Sequence, residues 1–246
     1  MELDIPIQPA IPLEINFKVR LKTNSIRLPK YLTPALAYFV GLLRDGNLNK
    51  CYRSYKVRIY QKDKRFLEEV VNSLSKTLFQ KTAKIIQSGS DFVWQLDSKP
   101  LFQLITEVFD YPKDKTQKWW KTPSIILQAP LEIQKWYIAG FVDAEGSIRI
   151  ENKKPIIYIY QSWNNPNECP PLNDLKLMLK QFGINASGPK LYKKGNNAFR
   201  LKIKDRSARI FLRTIPLIRK STCLPPKEPE TRWLQSARAG KVLPRS

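Results

Sequence analysis

Residues 137–146 read YIAGFVDAEG, an apolar run that ends in two acids, separated by an alanine, and a glycine. A related stretch, AYFVGLLRDGNL at residues 37–48, has the same order of apolar residues, acid, glycine, polar residue and aliphatic residue. The acids Asp45 and Glu145 lie 100 positions apart, and so do the tripeptides Ile-Tyr-Gln that end at Gln61 and Gln161. Two separate matches at one offset predict a tandem repeat about one hundred residues long.

The segments between these landmarks predict the same order of elements in each half. Alternating and helical hydrophobic periodicities, with turn residues between them, place strands near 47–53, 55–62, 82–88 and 91–97 and helices near 64–78 and 99–109. The second half repeats them, with strands near 147–152, 156–162, 189–194 and 198–204 and helices near 171–182 and 205–219. We therefore expect an α+β fold of two pseudo-symmetric αββαββα repeats, divided into an N-terminal arm (1–30), a first repeat with linker (31–125), a second repeat (126–222) and a tail (223–246).

The charge of the chain points to a polyanionic partner. Its 246 residues carry 43 Lys and Arg against 21 acids, a net charge of +22. Nucleic acid fits this surplus better than a membrane surface, because no basic amphipathic helix and no apolar run of membrane-spanning length is visible. The N-terminus does not resemble a signal or transit peptide. We expect the protein to lie in the cytoplasm of a prokaryote, associated with the nucleoid, or inside an organelle if the gene is organellar.

The absence of histidine narrows the chemistry. It removes Cys/His zinc sites and the usual Ser-His-Asp and Cys-His catalytic arrangements, so hydrolysis must proceed through carboxylates, lysine or a metal ion. Cys51, Cys169 and Cys223 are odd in number and widely spaced, and we expect three free thiols in a reducing compartment.

An acid followed by glycine at a helix end is a candidate metal site. We expect Gly46 and Gly146 to end each helix in the left-handed conformation, which leaves Asp45 and Glu145 in the last turn. A carboxylate there opposes the helix dipole, at a cost of roughly 0.3–1 kcal/mol, whereas Mg²⁺ prefers carboxylate and carbonyl oxygens. The helix-end carbonyls, those of Arg44 and Ala144, are the further candidate ligands.

Small residues indicate that the two helices pack together. Ala37 and Gly41 are four residues apart, as are Gly140 and Ala144, and such flat stripes allow close backbone approach. Packing along these stripes would bring both acids to one end of the interface. The alternative is two buried core helices whose acids simply face solvent.

Residues 137–146 resemble the LAGLIDADG signature almost position for position, and residues 39–46 resemble a diverged first copy. The first copy is one residue short when Gly41 is aligned with Gly140, and Leu43 stands where the second copy has Asp143. The resemblance to these homing endonucleases covers residues 31–222. It implies signature helices at the interface between the halves, four-stranded antiparallel sheets that form a saddle over double-stranded DNA, and catalytic Mg²⁺, replaceable by Mn²⁺, bound by Asp45 and Glu145.

The same resemblance implies further active-site residues. Gln61 and Gln161 match a family glutamine that orders water; the alternative is a glutamine at a strand end that bonds to backbone. The family also places a lysine near the metals after each repeat's last helix. Lys113 or Lys115, and Lys220 (or Arg219), are the candidates. The alternative for each, which so basic a chain favours, is a phosphate contact or solvated surface.

The outward faces of the strands are candidate DNA-reading surfaces, because Lys56, Arg58 and Tyr60 alternate with core residues Val57 and Ile59. Generic solvated charge is the alternative for any single residue. The predicted DNA-binding set is Asn47, Asn49, Arg53, Lys56, Arg58, Tyr60, Lys84, Arg149, Tyr158, Tyr160, Lys190, Arg200, Lys202 and Lys204.

These observations favour a monomeric, Mg²⁺-dependent endonuclease that cuts both strands of a long, non-palindromic target. Two binding functions compete with it on the same fold: an RNA maturase that binds its own intron, or a DNA binder that has lost cleavage. A transcription regulator of this architecture is a third possibility, in which Asp45 and Glu145 would be dispensable.

Overall fold

The computed structural model describes residues 5–6, 8–15, 26–113 and 116–220. The predicted C-terminal tail and Cys223 lie outside the described residues, as does Lys115. Among the residues described, Cys51 and Cys169 are free thiols, and no helix combines the length and the hydropathy needed to cross a bilayer.

The first repeat follows a short ribbon, in which β1 (Ile11–Pro12) pairs with β2 (Tyr31–Leu32). The repeat comprises α1 (Pro34–Leu42), a 3₁₀ turn (Leu43–Asp45), β3 (Gly46–Cys51), β4 (Ser54–Gln61), α2 (Lys64–Phe66), a π turn (Leu67–Val71), α3 (Asn72–Phe79), β5 (Lys84–Ser88), β6 (Asp91–Asp97), α4 (Lys99–Gln103) and a second π turn (Leu104–Val108). A 3₁₀ turn (Gln117–Trp119) and α5 (Ser124–Leu127) lead to the second half, so the division expected at 125/126 falls inside α5.

The second repeat has the same order. It comprises α6 (Leu131–Glu145), β7 (Gly146–Glu151), β8 (Lys154–Ser162), α7 (Pro170–Gln181), β9 (Ala186–Lys193), a 3₁₀ turn (Lys194–Asn196), β10 (Ala198–Ile203) and α8 (Asp205–Thr214). The last helix was predicted to reach residue 219. It ends at Thr214 instead, and a turn follows that becomes important for the site.

The two four-stranded sheets confirm the repeat. Their strand orders are β3-β4-β6-β5 and β7-β8-β10-β9, and every pairing is antiparallel. Core-facing positions alternate as expected, since Val57 and Ile59 on β4 and Ile157 and Ile159 on β8 are fully buried. The α+β fold of two αββαββα repeats is therefore correct.

The signature helices form the centre of the molecule. α1 begins where the Thr33 hydroxyl accepts a hydrogen bond from the backbone N–H of Leu36 and Pro34 fills the first turn. All nine residues of α1 are buried, as expected of a helix that is apolar on every side. α6 packs directly against α1, so one helix pair joins the two repeats.

Candidate active site

The two signature helices meet backbone to backbone at a pair of glycines. A Cβ atom at Gly140 would lie 2.1 Å from the carbonyl oxygen of Tyr38, and one at Gly41 would lie 2.4 Å from the carbonyl oxygen of Tyr137. Both distances are well inside van der Waals contact. The close approach inferred from the small-residue stripes is therefore confirmed, with Gly41 opposite Gly140.

The one-residue difference between the two copies is absorbed at the end of α1. The glycines are 99 positions apart, whereas Asp45 and Glu145 are 100 apart. The first copy ends in the three-residue 3₁₀ turn, while α6 stays α-helical to Glu145. Three 3₁₀ residues rise about 6 Å, as do four α-helical residues, so the shorter copy reaches the same height. Both acids therefore stand at the same end of the helix pair.

Burial and proximity raise the pKa values of the two acids. Burial, followed by the negative charge of Asp45, raises the pKa of Glu145 to about 8. Burial raises the pKa of Asp45 to about 6, although the positive charges of Arg219 and Lys220 oppose the change. Asp45 and Glu145 are each partly buried, and the negative charge of Asp45 acts on Glu145, so the two carboxyls lie near each other at this helix end.

An open cavity adjoins Asp45. It is lined by Asp45, Tyr60, Gln61, Lys62, Asp91, Ala144, Gly146, Arg219 and Lys220. Gln61 donates from its amide nitrogen to Asp45 Oδ2 at 2.9 Å, so the predicted glutamine does reach the acid. Asp91 is a second carboxylate lining this cavity that sequence reasoning missed, and its charge further raises the pKa of Asp45.

The two glycines that follow the acids have a different role from the one expected. Gly46 (φ −136°) and Gly146 (φ −91°) are extended and begin β3 and β7, so the expected left-handed conformation is wrong. Glycine is needed for space. A Cβ atom would lie 2.4 Å from the Arg58 carbonyl oxygen at Gly46 and 2.5 Å from the Val142 carbonyl oxygen at Gly146.

Asp143, which was not predicted as a site residue, anchors the turn after α8. Its fully buried carboxylate accepts hydrogen bonds from the backbone N–H groups of Ile218 (2.8 Å), Arg219 (3.1 Å) and Lys220 (3.0 Å). The hydroxyl of Tyr38, on the facing helix, donates to the same carboxylate at 2.8 Å. Asp143 therefore fixes the backbone that carries two cavity-lining cations.

Arg44 forms the counterpart of this anchor in the first copy, with reversed charge. Its fully buried guanidinium donates to the carbonyl oxygens of Trp120 (2.6 Å) and Lys121 (3.0 Å) in the linker. It also donates to the hydroxyl of Tyr137 at 2.7 Å and lies 4.3 Å from the ring centre of Trp120. Arg44, rather than Leu43, thus occupies the place equivalent to Asp143.

Two other predicted residues do not reach the acids in this structure. The amide nitrogen of Gln161 donates to the Ser162 carbonyl oxygen at 3.3 Å, and its buried oxygen has no hydrogen-bond partner among the described residues. Lys113 lies 3.6 Å from Glu107 in an exposed ion pair and does not line the cavity. Lys220, by contrast, is 7% exposed and lines it.

Comparison with known proteins identifies the family. Residues 132–216 match the family model described as a LAGLIDADG-like domain. The homing endonuclease I-ApeI of Aeropyrum pernix is 31% identical over 172 residues, which cover 69% of this chain and 74% of that protein. The chain belongs to the LAGLIDADG homing endonuclease family.

Solved structures share the LAGLIDADG fold at lower identity. I-DmoI in complex with DNA and Mn superposes with a TM-score of 0.58 and 19% identity, covering 75% of this chain and 97% of that one. The N-terminal LAGLIDADG domain of DUF199/WhiA superposes with a TM-score of 0.53 and 16% identity, covering 83% and 86%.

The donor atoms at the LAGLIDADG helix ends suit a hard divalent cation. Carboxylates and helix-end carbonyl oxygens are the ligand types that Mg²⁺ prefers. Within the described ranges no three His, Cys, Asp or Glu side chains cluster, so a cation here would rely on Asp45 and Glu145 with backbone oxygens and water. The raised pKa values of the two acids indicate a place where added positive charge would be stabilising.

The LAGLIDADG sheet of the first repeat presents a row of hydrogen-bonding side chains. Strand pairing aligns Asn47, Arg58, Gln95 and Lys84 across β3, β4, β6 and β5. Arg58 Nε donates to Gln95 Oε1 at 2.8 Å, which fixes both groups before any ligand arrives. Gln95 was not predicted. Asn49 pairs with Lys56 in the next row, and Asn47 donates to the Tyr60 hydroxyl at 3.1 Å.

The sheet of the second repeat presents tyrosines and cations instead. The guanidinium carbon of Arg200 lies 4.8 Å from the ring centres of both Tyr158 and Tyr192. Arg149 and Lys202 lie 5.6 and 5.5 Å from the Tyr158 ring, which is buried beneath them. Such stacks hold arginine and lysine side chains in place through cation–π attraction.

The remaining predicted DNA-binding residues differ in position. The Tyr160 ring packs at a tilt against the Tyr192 ring, with ring centres 5.7 Å apart, and Lys190 pairs with Arg200 across β9 and β10. Arg53 lies in the exposed hairpin turn between β3 and β4. Lys204 has extended backbone and lies one residue beyond the end of β10, immediately before α8 and 3.6 Å from Asp205, and its contact with DNA stays a prediction.

Proposed function

We propose that this protein is a monomeric, site-specific endonuclease that cuts both strands of a long double-stranded DNA target with Mg²⁺. The observation that carries the proposal is that Asp45 and Glu145 stand at the same end of one packed helix pair, where the charge of Asp45 acts on Glu145. Membership of a homing endonuclease family and the DNA complexes of the structurally similar I-DmoI support it. The unlike faces of the two sheets favour a non-palindromic target.

The sheets provide binding and register. Lysine and arginine side chains neutralise phosphates, which fixes the duplex without reading its sequence. In the first repeat, the guanidinium and amide groups of Arg58 and Gln95 can hydrogen-bond to base edges in the major groove. In the second, Arg200 is held between two tyrosine rings and is presented in a fixed direction. The two faces would therefore read their half-sites in different ways.

The acids provide the metal site. Asp45 and Glu145, with the carbonyl oxygens of Arg44 and Ala144, would hold Mg²⁺ or Mn²⁺. The metal would supply positive charge at the scissile phosphate and lower the pKa of nearby water. Gln61 keeps one Asp45 oxygen fixed by its 2.9 Å hydrogen bond. Gln161 would act in the same way beside Glu145 once its amide turns away from the Ser162 carbonyl oxygen.

Two cations complete the site. Arg219 and Lys220 line the cavity beside Asp45, where their charges lower its pKa. A fixed cation here stabilises negative charge that develops on the phosphate during displacement. Lys220 is therefore our candidate catalytic lysine, in preference to Lys113.

A plasmid cleavage assay tests the proposal. The substrate is a plasmid carrying the rejoined sequence that flanks this reading frame in its host gene, incubated with Mg²⁺. We expect linear product from the natural protein and none from the double variant Asp45→Asn, Glu145→Gln, with DNA binding retained. No linear product at any Mg²⁺ or Mn²⁺ concentration would overturn the proposal, and tight binding to the intron RNA without cleavage would favour a maturase.

A further inference from the structure

The turn after α8 carries Arg219 and Lys220 into the cavity, yet no regular secondary structure fixes that turn. We propose that Asp143 is a positioning residue that sets the place of Arg219 and Lys220 beside Asp45 by binding the backbone of this turn. The part of the inference that concerns cleavage rate rests on the proposed nuclease function, whereas the part that concerns the backbone does not.

The hydrogen bonds of Asp143 account for the shape of the turn. Three consecutive backbone N–H groups, those of residues 218–220, converge on one carboxylate that is 0% exposed. Hydrogen bonds to an ionised acceptor are roughly twice as strong as neutral ones. A buried carboxylate also requires such donors, because an uncompensated charge there would be costly. The turn and Asp143 therefore stabilise each other.

The two cations bond back to the same residue. Arg219 Nη1 donates to the Asp143 carbonyl oxygen at 2.7 Å, and Lys220 Nζ donates to that oxygen at 3.0 Å. Hydrogen bonds to Asp143 therefore hold both the backbone and the side chain of each cation against α6, the helix that ends in Glu145. Movement of Asp143 would move both cations relative to the acids.

Arg44, the counterpart of Asp143 in the first repeat, also binds the backbone of a distant segment, but that segment places no lysine in the cavity. Arg44 binds the carbonyl oxygens of Trp120 and Lys121, the Trp120 side chain is fully buried, and Lys121 is exposed and does not line the cavity. Each anchor bonds to one tyrosine hydroxyl of the facing helix. The Tyr38 hydroxyl donates to Asp143, and the Tyr137 hydroxyl accepts from Arg44. Removal of the hydroxyl in Tyr38→Phe and in Tyr137→Phe therefore gives a matched pair of variants, one for each anchor.

The test is a double-mutant comparison. Tyr38→Phe and Tyr137→Phe are each made in the natural protein and in Lys220→Met, and single-turnover cleavage and DNA affinity are measured. We expect Tyr38→Phe to slow cleavage about 3- to 10-fold in the natural protein but less than about 2-fold in Lys220→Met, because coupled residues are not additive. Tyr137→Phe should change the rate by the same factor in both backgrounds. Additive effects for Tyr38→Phe would overturn the proposal.

Hydrogen exchange provides a second readout that does not depend on activity. Amides of residues 218–220 should exchange slowly in the natural protein and Tyr137→Phe, and at least about 10-fold faster in Asp143→Asn or, to a smaller extent, Tyr38→Phe. Tyr38→Phe keeps the test available if Asp143→Asn does not fold. Unchanged exchange in the Asp143 and Tyr38 variants would overturn the positioning role. Faster exchange in a protein that never cleaves DNA would instead uphold the anchor and reject the nuclease function.

Discussion

Replacing Glu145 with glutamine should stabilise the metal-free protein while it abolishes cleavage. The pKa of this carboxyl is raised from 4.5 to about 8, so the folded protein holds its proton more tightly than the unfolded chain does. Stability from such a group is full below the unfolded pKa and is lost as pH rises through the folded pKa. The natural protein should therefore lose stability between about pH 4.5 and 8, and the variant should not suffer this loss.

The size of this stability loss follows from the difference between the folded and unfolded pKa values of Glu145. About 3.5 pH units at about 1.36 kcal/mol each set an upper bound near 5 kcal/mol. Because the empty site can relax, we expect on the order of 2 kcal/mol at pH 8.5 and almost none at pH 4.5. For a chain of this size, that corresponds to roughly 4–8 °C in Tm.

The assay is thermal or urea unfolding in EDTA at both pH values, followed by circular dichroism. Glu168→Gln, at an exposed position, controls for the loss of one negative charge from a chain of net charge +22. If Glu145→Gln is no more stable than the natural protein at pH 8.5, or if its advantage does not grow with pH, then the Glu145 carboxyl does not hold a raised pKa in the folded protein.

Three further changes test the interface and the DNA-reading face. Gly140→Ala should cost about 3 kcal/mol or more in urea unfolding, because its Cβ would lie 2.1 Å from a backbone oxygen of the facing helix, whereas Gly195→Ala, with open space around its Cβ, should cost less than about 0.5 kcal/mol. Arg44→Met leaves two linker carbonyls and a tyrosine hydroxyl without their donor, and should destabilise by about 3 kcal/mol in the same assay; a neutral effect would contradict the anchor. Arg58→Ala, and more weakly Gln95→Ala, should relax discrimination at one base pair by about 1–3 kcal/mol in a binding competition, while a uniform loss over all positions would mean phosphate contact.

Sequence reasoning located the parts of the site that the repeat makes visible. Asp45, Glu145 and Gln61 follow from local patterns at a fixed offset, and the glycine contact follows from small residues spaced four apart. The anchoring roles of Asp143 and Arg44 do not follow from such patterns. Asp143 bonds to residues 75 to 77 positions away, and Arg44 to residues 76 and 77 positions away, so neither partner is visible in a local window.

Backbone geometry explains the remaining differences. The 3₁₀ turn after Leu42 compensates for a missing residue, a choice between two helix types that composition does not reveal. Gly46 was interpreted as a conformational glycine because helix ends often need one, but its lack of a Cβ is what β4 requires. Lys113 was selected by its distance after the last helix, but its ammonium lies 3.6 Å from Glu107 and does not line the cavity.

The shared metal site of Asp45 and Glu145 can be tested by a crystal structure of the protein with its DNA target and Mn²⁺, in which anomalous scattering locates the metal. We expect an anomalous peak at the ends of α1 and α6, within bonding distance of a carboxylate oxygen from both Asp45 and Glu145 and of the DNA backbone. Bound DNA with both carboxylates away from any peak would contradict it.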